Sequence, residues 1–263
     1  MNAGLPLSNR EENILDPVAA YDQLAPHYSH FSNRRTAFLK SVESNIVSRL
    51  PAHAASLLDI GAGDGNRALR IAAAAGIGRV VLLEPSSRMS AHAPAAAELW
   101  PVRIEDLRLE NTSERFDAIT CLWNVLGHIR GSENRIRALR NAAQLLSLQG
   151  SIFVDVTHRY NLRSYGLLPT VARWIRDRVM PDEANGDVVA KWETAAGNIR
   201  TYGHVFTDRE MRRLVESPGL EIAERIVIDY ETGATGPFAC LGNFLYVLRR
   251  IPLSAPSKAQ QTS

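Results

Sequence analysis

Three glycines at alternate positions stand between a short apolar segment and a helical pattern in the stretch LLDIGAGDGN. Gly61, Gly63 and Gly65 would let the backbone turn sharply and would let a ligand approach without a Cβ in the way. The free N–H groups at the start of the following helix attract a polar or anionic group. The loop therefore predicts a bound cofactor, although an ordinary glycine-rich turn between a strand and a helix has the same pattern.

A single glutamate, Glu84, ends the next apolar segment, 19 residues after Gly65. A carboxylate at the end of a second strand can accept hydrogen bonds from both hydroxyls of a ribose, although a solvated carboxylate is the ordinary alternative. Asp59 and Asp64 add negative charge at the loop, which suits a cationic ligand and would repel a pyrophosphate. The spacing GxGxG also differs from the GxGxxG of dinucleotide loops. A nucleoside cofactor with positive charge is the prediction.

Together, LLDIGAGDGN and LLEPSSRM resemble motifs I and II of the class I S-adenosylmethionine-dependent methyltransferases, and the order of the family's motifs continues from about Tyr21 to Arg250. The resemblance implies S-adenosyl-L-methionine as cofactor, S-adenosyl-L-homocysteine as product, and no metal. It implies that the cofactor contacts two groups of residues: Asp59, Gly61, Ala62, Gly63 and Gly65 at the loop, and Glu84, Pro85, Ser86 and Met89 after the second strand.

The phrase VRIEDL stands where the family has its third motif, which supplies an acid for the adenine amino group. Here Arg103 occupies the position of that acid. The resemblance then leaves Ile104 to supply a backbone N–H and an apolar face, with Glu105 or Asp106 as the replacement carboxylate.

The stretch ERFDAITCLWNVLGHI resembles the family's fourth motif, in which a strand ends beside the reactive methyl group. The resemblance implies that Leu122, Trp123 and Asn124 face the cofactor, with Asn124 also at the acceptor, whereas Asp117 is expected to be structural. His128 is a candidate general base and acceptor contact, because a histidine titrates near pH ~6.5. A histidine bonded to the backbone at a helix start is the alternative.

CLWNVLGHI and the later FVDVTHRYN resemble the glycine and sarcosine N-methyltransferase branch. This likeness implies Arg159 as a clamp for a substrate carboxylate, Tyr160 as an acceptor contact and His158 as a second candidate base. The order of residues is inexact, because two residues separate Asp155 from His158.

Aromatic residues outside the central motifs are further candidates. AAYDQLAPHYSHF resembles the YDxxAxxY segment that closes over the cofactor in many small-molecule methyltransferases, which implies cofactor contacts for Tyr21 and Tyr28. An aromatic face near a sulfonium is electrostatically favourable, although packing of an amphipathic helix explains both tyrosines equally well. Tyr230 and Phe238 flank a glycine-rich bend and are candidate acceptor contacts.

Strand and helix patterns alternate along most of the chain, which predicts an α/β, doubly wound, Rossmann-like fold with helices on both faces of the sheet. The family likeness adds a seven-stranded, mostly parallel sheet whose last strand is reversed. We expect a flexible tail over residues 1–16, a methyltransferase domain over 17–250 and a second tail over 251–263. An inserted substrate cap is expected over 162–205, with two antiparallel strands around Ala195–Gly197. Further predicted elements are a helix at SRMSAHAPAAAEL, a weak strand at PVRI and a helix over Glu133–Leu146.

Composition limits the classes of partner. The net charge of +2 shows no broad field for nucleic acid or an anionic membrane. Two cysteines give neither a disulfide framework nor a Cys-based metal site. The beginning of the sequence does not resemble a signal peptide, and no apolar run approaches the ~18 residues of a membrane helix. These features predict a cytoplasmic enzyme that acts on a small molecule, with no prediction of its oligomeric state.

The sequence thus predicts methyl transfer to an amine nitrogen or a hydroxyl oxygen of a small molecule. The same geometry of displacement serves both acceptors, so the sequence does not separate them. The alternatives from other classes are a nicotinamide-dependent oxidoreductase and a non-catalytic nucleoside-binding module, because both use a glycine loop and a ribose acid.

Overall fold

The computed structural model describes residues 14–110, 112–195 and 197–251. Three helices precede the sheet: α1 (Pro17–Leu24), α2 (Tyr28–Asn33) and α3 (Thr36–Val47). The Asp16 side chain caps α1 by accepting a hydrogen bond from the Val18 N–H (2.9 Å). These helices form the predicted N-terminal helical layer.

Strands and helices then alternate. The first half contains β1 (Ser56–Ile60), α4 (Asn66–Ala75), β2 (Arg79–Leu83), α5 (Ser87–Ser90), β3 (Glu98–Trp100), β4 (Phe116–Cys121), α6 (Val125–His128), α7 (Ser132–Leu145) and β5 (Leu146–Val156). The second half contains α8 (Leu162–Tyr165), α9 (Leu167–Val179), β6 (Asp187–Thr194), β7 (Gly197–His204), α10 (Asp208–Glu216), β8 (Leu220–Ile228), β9 (Thr235–Gly236) and β10 (Asn243–Arg250).

The main sheet has the strand order β3-β2-β1-β4-β5-β10-β8-β9. The pairs among β1 to β5 are parallel, and β10 runs antiparallel to both β5 and β8. The doubly wound, mostly parallel sheet with a reversed last strand is therefore confirmed, but it has eight strands rather than seven. The additional strand is the two-residue β9, which forms because the bend after β8 folds back and the Asp229 N–H donates to the Ala234 carbonyl.

Helices cover both faces of the sheet, as predicted. Leu139 of α7 and Leu214 of α10 belong to the core on one face, and Phe38 of α3 and Ile71 of α4 belong to the core on the other. Strands covered on both sides can be apolar throughout, and β2 is buried from Val80 to Leu83. The carboxyl ends of β1, β2, β4 and β5 consequently share one edge of the sheet.

The segment between β5 and α10, where the substrate cap is predicted, contains α8, α9 and an antiparallel hairpin of β6 and β7. The two strands predicted around Ala195–Gly197 are present. The extents of the tails need a correction, because the Leu15 N–H donates to the Arg200 carbonyl of β7 and the Ile251 N–H donates to the Gly219 carbonyl. The rest of both predicted tails, residues 1–13 and 252–263, lies outside the described residues.

Two boundaries in the first half differ from the prediction. The helix expected at SRMSAHAPAAAEL is the single turn α5, since Pro94 cannot continue a helix. The weak strand expected at PVRI is instead β3, and Pro101, which has no N–H for a ladder, follows it. Residues Ile104–Asp106 form a 3₁₀ turn. The helix expected over Glu133–Leu146 is confirmed within one residue as α7.

Candidate functional site

The glycine loop after β1 is a cradle that requires glycine. Gly61, Gly63 and Gly65 have φ values of +66°, +63° and +71°, in the left-handed region. A Cβ at Gly61 would lie 2.6 Å from a methyl carbon of Val125, and a Cβ at Gly65 would lie 2.4 Å from a methyl carbon of Leu82. The Gly61 N–H donates to the carbonyl of Leu83 (2.8 Å), which fixes the loop beside the end of β2.

Glu84 closes this cradle from the end of β2. Its side chain accepts hydrogen bonds from the backbone N–H groups of Gly63 and Ser86, both at 2.8 Å. Burial raises the pKa of Glu84 to about 7, and the two N–H groups oppose this rise. A carboxylate has about four acceptor positions, so Glu84 keeps two for a ligand.

Three buried polar atoms lie beside the loop without a hydrogen-bond partner among the described residues: Asp59 Oδ2, Arg67 Nε and Asp155 Oδ2. The other oxygen of Asp59 accepts from the Thr120 hydroxyl (2.7 Å). Burial raises the pKa of Asp59 and of Asp155, and the charge of Arg67 opposes both rises. Buried polar atoms without partners are rare in proteins. The two carboxylates could face an ammonium group and the guanidinium a carboxylate, so the three side chains match the charges at the amino-acid end of a ligand.

The sequence analysis missed Arg67 and the role of Asp155. Arg67 stands two residues after Gly65 on α4, and its side chain is 7% exposed. An arginine so close to the loop could have been recognised as a site residue, because a buried arginine needs a counter-charge or a ligand. No comparable signal marked Asp155, since the packing of β5 against β4 brings it to the site.

The turn after β4 holds two residues in an uncommon backbone conformation. Trp123 and Asn124 have φ values of +60° and +61°. The Asn124 N–H donates to Asp155 Oδ1 (2.8 Å), and its side-chain oxygen accepts from the Thr157 N–H (3.0 Å). The side-chain amide donates to the His204 carbonyl (3.1 Å). The structure therefore corrects the prediction for Asn124: its side chain bonds to the backbone, while Leu122 and Trp123 line the cleft.

His128 lies at the wall of the cleft in a defined tautomer. Its Nδ1 is 2.8 Å from the carbonyl oxygen of Tyr202, and a carbonyl only accepts, so Nδ1 carries the proton. Its Nε2 is 3.2 Å from the Tyr21 hydroxyl and accepts from it. Burial lowers the pKa of His128, which keeps the ring neutral. The ring can therefore accept a proton at Nε2.

These groups surround one cleft of about 720 Å³, including its open mouth. The predicted residues that line it are Tyr21, Tyr28, Gly61, Gly63, Glu84, Pro85, Ile104, Glu105, Leu122, Trp123 and His128. Five more predicted residues lie next to the wall without lining the cleft: Asp59, Ala62, Gly65, Ser86 and Met89. Arg103, where the family has an acid, also lines the cleft and pairs with Asp16 (2.5 Å).

His158, Arg159 and Tyr160 line a different cavity, between α9 and α10. Arg159 pairs with Asp177 (3.0 Å) and with Glu210 (2.8 Å), so the chain's own carboxylates use its guanidinium. The structure does not bring these three residues to the cleft, because the Phe206 N–H donates to the Thr157 carbonyl and directs the chain toward α10.

The remaining aromatic candidates lie outside the cleft. The Tyr230 hydroxyl accepts from Trp123 Nε1 (3.3 Å), which places Tyr230 behind that ring. Phe238 is 65% exposed and lines none of the cavities described above. Asp117 is structural, as predicted: it accepts from the Ala55 N–H and from two serine hydroxyls, and these bonds hold its pKa low against the effect of burial.

A family model described as a methyltransferase domain matches residues 30–225. The chain belongs to this methyltransferase family. The resemblance to the class I S-adenosylmethionine-dependent methyltransferases is thereby confirmed, and the protein is a methyltransferase enzyme. The likeness to the glycine and sarcosine branch stays a prediction.

Solved methyltransferase structures share the fold. The CcbJ methyltransferase from Streptomyces caelestis matches with 19% identity over 80% of this chain and 89% of its own, at a TM-score of 0.60. The sugar N-methyltransferase KedS8 from Streptoalloteichus matches with 18% identity over 94% of this chain and 98% of its own, at a TM-score of 0.57. A third match is the amino pentose methyltransferase CalS10 from Micromonospora echinaspora, whose structure contains S-adenosylmethionine. It has 18% identity over 90% of this chain and 99% of its own, at a TM-score of 0.55.

Comparison with curated proteins finds no matching sequence. Among the described residues, none of the helices combines the length and the apolarity needed to cross a bilayer.

Proposed function

We propose that this methyltransferase uses S-adenosyl-L-methionine to methylate an amine nitrogen or a hydroxyl oxygen of a small molecule. The observation that carries the proposal is one cleft lined by the glycine cradle, Glu84 and Arg67, with the unpartnered carboxylate oxygens of Asp59 and Asp155 buried near Arg67. Glu84 would hold the ribose, and Asp59, Asp155 and Arg67 would hold the amino-acid end. S-adenosyl-L-methionine supplies an electrophilic methyl group when bound.

The residues of the chain supply position and proton transfer. Tyr21, Tyr28 and Trp123 surround the cleft with aromatic rings, which favour a sulfonium and exclude water. Alignment is the largest contribution available in a displacement of this kind. His128 Nε2 would accept the acceptor's proton, and the Tyr202 carbonyl, bonded at Nδ1, would hold the ring in place.

An amine is favoured over a hydroxyl as the acceptor. KedS8 is a sugar N-methyltransferase and CalS10 an amino pentose methyltransferase, and both match nearly their whole length to this chain. A neutral histidine at the cleft can take the proton that an amine must lose, and it serves a hydroxyl as well. The cap over residues 162–205 would enclose the acceptor, which supports a small molecule. Cys121 and Cys240 are free thiols, which supports the reducing cytoplasm as the location.

The two rival functions predict different ligands. A nicotinamide cofactor would bring a pyrophosphate to the glycine loop, where the negative charge of Asp59 and Asp64 would repel it. A binding module would retain the donor without transferring its methyl group.

Calorimetry with S-adenosyl-L-methionine, S-adenosyl-L-homocysteine and NAD, followed by transfer of a labelled methyl group to a panel of amines and hydroxyls, tests the proposal. We expect the first two ligands to bind, NAD not to bind, and an amine to be labelled. Binding of NAD alone would support the oxidoreductase, and donor binding without labelling of any acceptor would support the binding module.

A further inference from the structure

A third cavity, distinct from the one between α9 and α10, adjoins the cleft at Trp123. We call it the vestibule. It has about 790 Å³ of space, including its open mouth, and lies between α2, β6 and the end of β8. Its lining consists of Phe31, Arg34, Arg35, Trp123, Lys191, Trp192, Glu193 and Tyr230. Because Trp123 lines both spaces, its ring lies between the vestibule and the cofactor cleft.

Half of the lining residues are aromatic, and two of the rings are fixed. Trp123 donates from Nε1 to the Tyr230 hydroxyl, and its ring packs 5.5 Å from that of Tyr28. Trp192 is 5% exposed and packs edge-on against Tyr21, with ring centres 5.5 Å apart. Rigid aromatic faces bind planar rings at a small cost in conformational entropy.

Among the described residues, the charged side chains of the vestibule leave one guanidinium, that of Arg34, without a partner. Arg35 pairs with Glu231 and lies over the Tyr230 ring at 4.4 Å, and Lys191 pairs with Glu193 (2.8 Å). The Arg34 side chain forms neither a hydrogen bond nor an ion pair with any residue that the structure describes. Its exposed guanidinium is thus available to a ligand, and it presents a fork of donors that matches a carboxylate or a phosphate.

We propose that the methyl acceptor is a planar, ring-containing molecule with an anionic group, and that the vestibule binds it. This inference rests on the proposed function. The ring would lie against Trp123 and Trp192, the anionic group would bind Arg34, and the amine or hydroxyl would reach past Trp123 toward His128.

The chemistry balances with groups already described. The nitrogen or oxygen lone pair of the acceptor forms the new bond to the methyl carbon. The electron pair of the broken carbon–sulfur bond stays on sulfur, and the acceptor's proton goes to His128 Nε2 or to water. No oxidant or reductant is required.

Binding of defined probes to the full chain, with and without S-adenosyl-L-homocysteine, tests the vestibule. The probes are 4-aminobenzoate and phenyl phosphate as anionic rings, aniline as a neutral ring, and acetate and inorganic phosphate as anions without a ring. Quenching of tryptophan fluorescence and calorimetry report the affinity. We expect both anionic rings to bind more tightly than aniline or the ring-free anions. The anionic ring that binds with the higher affinity, 4-aminobenzoate or phenyl phosphate, then identifies a carboxylate or a phosphate as the preferred anion.

Arg34→Gln removes the charge and the fork of donors, and it should weaken the binding of the anionic rings about tenfold, or ~1.4 kcal/mol. The same variant should change the affinity for aniline by less than about twofold. Arg209→Gln is the matched control, because Arg209 is an exposed arginine at the other cavity. It should change no affinity.

Two results would overturn the inference: equal binding of anionic and neutral rings, or an unchanged affinity for anionic rings in Arg34→Gln. Failure of the proposed function would be seen in a different measurement: the unaltered protein would not bind S-adenosyl-L-homocysteine. The vestibule probes do not depend on that ligand.

Discussion

A neutral imidazole at the wall of the cleft is the group best placed to move a proton. His128 is held at both ring nitrogens, by the Tyr202 carbonyl and by the Tyr21 hydroxyl. The ring thus keeps one tautomer, with its lone pair at Nε2 available to an acceptor that displaces the Tyr21 hydroxyl. The predicted alternative, a histidine bonded to the backbone, is therefore also present, since one nitrogen does bond to the backbone.

His128→Ala should lower kcat by about 10²- to 10⁴-fold, the usual contribution of a general base, without abolishing transfer. Tyr21→Phe keeps the base and should lower kcat less. Because burial lowers the pKa of His128, the kcat of the unaltered enzyme should stay constant as pH falls to about 6.5 and should decrease only below it. Initial rates across pH measure this. An unchanged kcat in His128→Ala would exclude a role as base.

His158 is a buried titratable group that makes the stability of the fold depend on pH. Its ring packs 4.1 Å from the ring of Phe244, and burial lowers its pKa to about 4. Below its unfolded pKa of ~6.5 the unfolded chain binds a proton that the folded chain does not, so acid should lower the free energy of unfolding.

Between about pH 7 and pH 4.5, this residue should account for a loss of about 2–3 kcal/mol, which is two pKa units at ~1.4 kcal/mol each. His158→Gln cannot titrate and should lose that much less over the same interval. Urea unfolding at both pH values measures the difference. Equal losses in the two proteins would contradict the assignment.

At the scale of elements, the turn between β4 and α6 forms part of the wall of the cleft. Two consecutive residues in the left-handed region are strained, and strain of this kind persists only where surrounding contacts enforce it. Asp155 and the Asn124 side chain supply those contacts. Gly127 allows the close approach, since a Cβ there would lie 2.3 Å from Asn124 Nδ2.

Asn124→Ala should lower the free energy of unfolding by about 2–4 kcal/mol, because it leaves the buried Thr157 N–H and His204 carbonyl without partners. Asn124→Asp places a buried carboxylate oxygen against the His204 carbonyl oxygen and should cost at least as much as Asn124→Ala. Urea unfolding at neutral pH measures both variants. A loss under about 0.5 kcal/mol in Asn124→Ala, the usual effect of a surface substitution, would contradict this account.

Local sequence patterns predicted most helices and strands. They failed where a contact with a residue distant in the sequence determines the position of a side chain. The helix α7 was predictable because its apolar positions repeat on one face, and the glycine loop because residue types alone limit its conformation. The ends of α5 and β3 depend on Pro94 and Pro101. The sequence could not show that the Asn124 side chain bonds to Thr157 and His204, because those partners lie 33 and 80 residues away.

At the scale of the molecule, a buried network of charges joins the cap to the central domain. His204 of β7 lies between Asp187 (2.7 Å) and Glu210 of α10 (2.6 Å). Glu210 also pairs with Arg159 at 2.8 Å, while the fully buried Arg135 of α7 donates to the Tyr202 hydroxyl at 2.6 Å. The likeness to the glycine and sarcosine N-methyltransferases implied a substrate role for Arg159. The sequence could not show its actual partners, because Asp177 and Glu210 come from separate parts of the chain.

Glu210→Gln should lower the free energy of unfolding by about 3–5 kcal/mol, the usual cost of leaving buried partners uncompensated. Glu216→Gln is the matched control on the same helix, because Glu216 is exposed, and it should change stability by less than about 0.5 kcal/mol. Thermal and urea unfolding compare the two. Similar small effects in both variants would show that the network contributes little.

The account depends on one claim, that the glycine cradle and Glu84 together hold the nucleoside of a sulfonium donor. Calorimetric titration of S-adenosyl-L-homocysteine into the unaltered protein, Gly63→Val, Glu84→Ala and the control Glu216→Gln tests it most directly, with circular dichroism to confirm folding. We predict binding by the unaltered protein and the control, and a loss of at least about tenfold, or ~1.4 kcal/mol, in each of the other two variants. Unchanged affinity in both folded variants would contradict the claim.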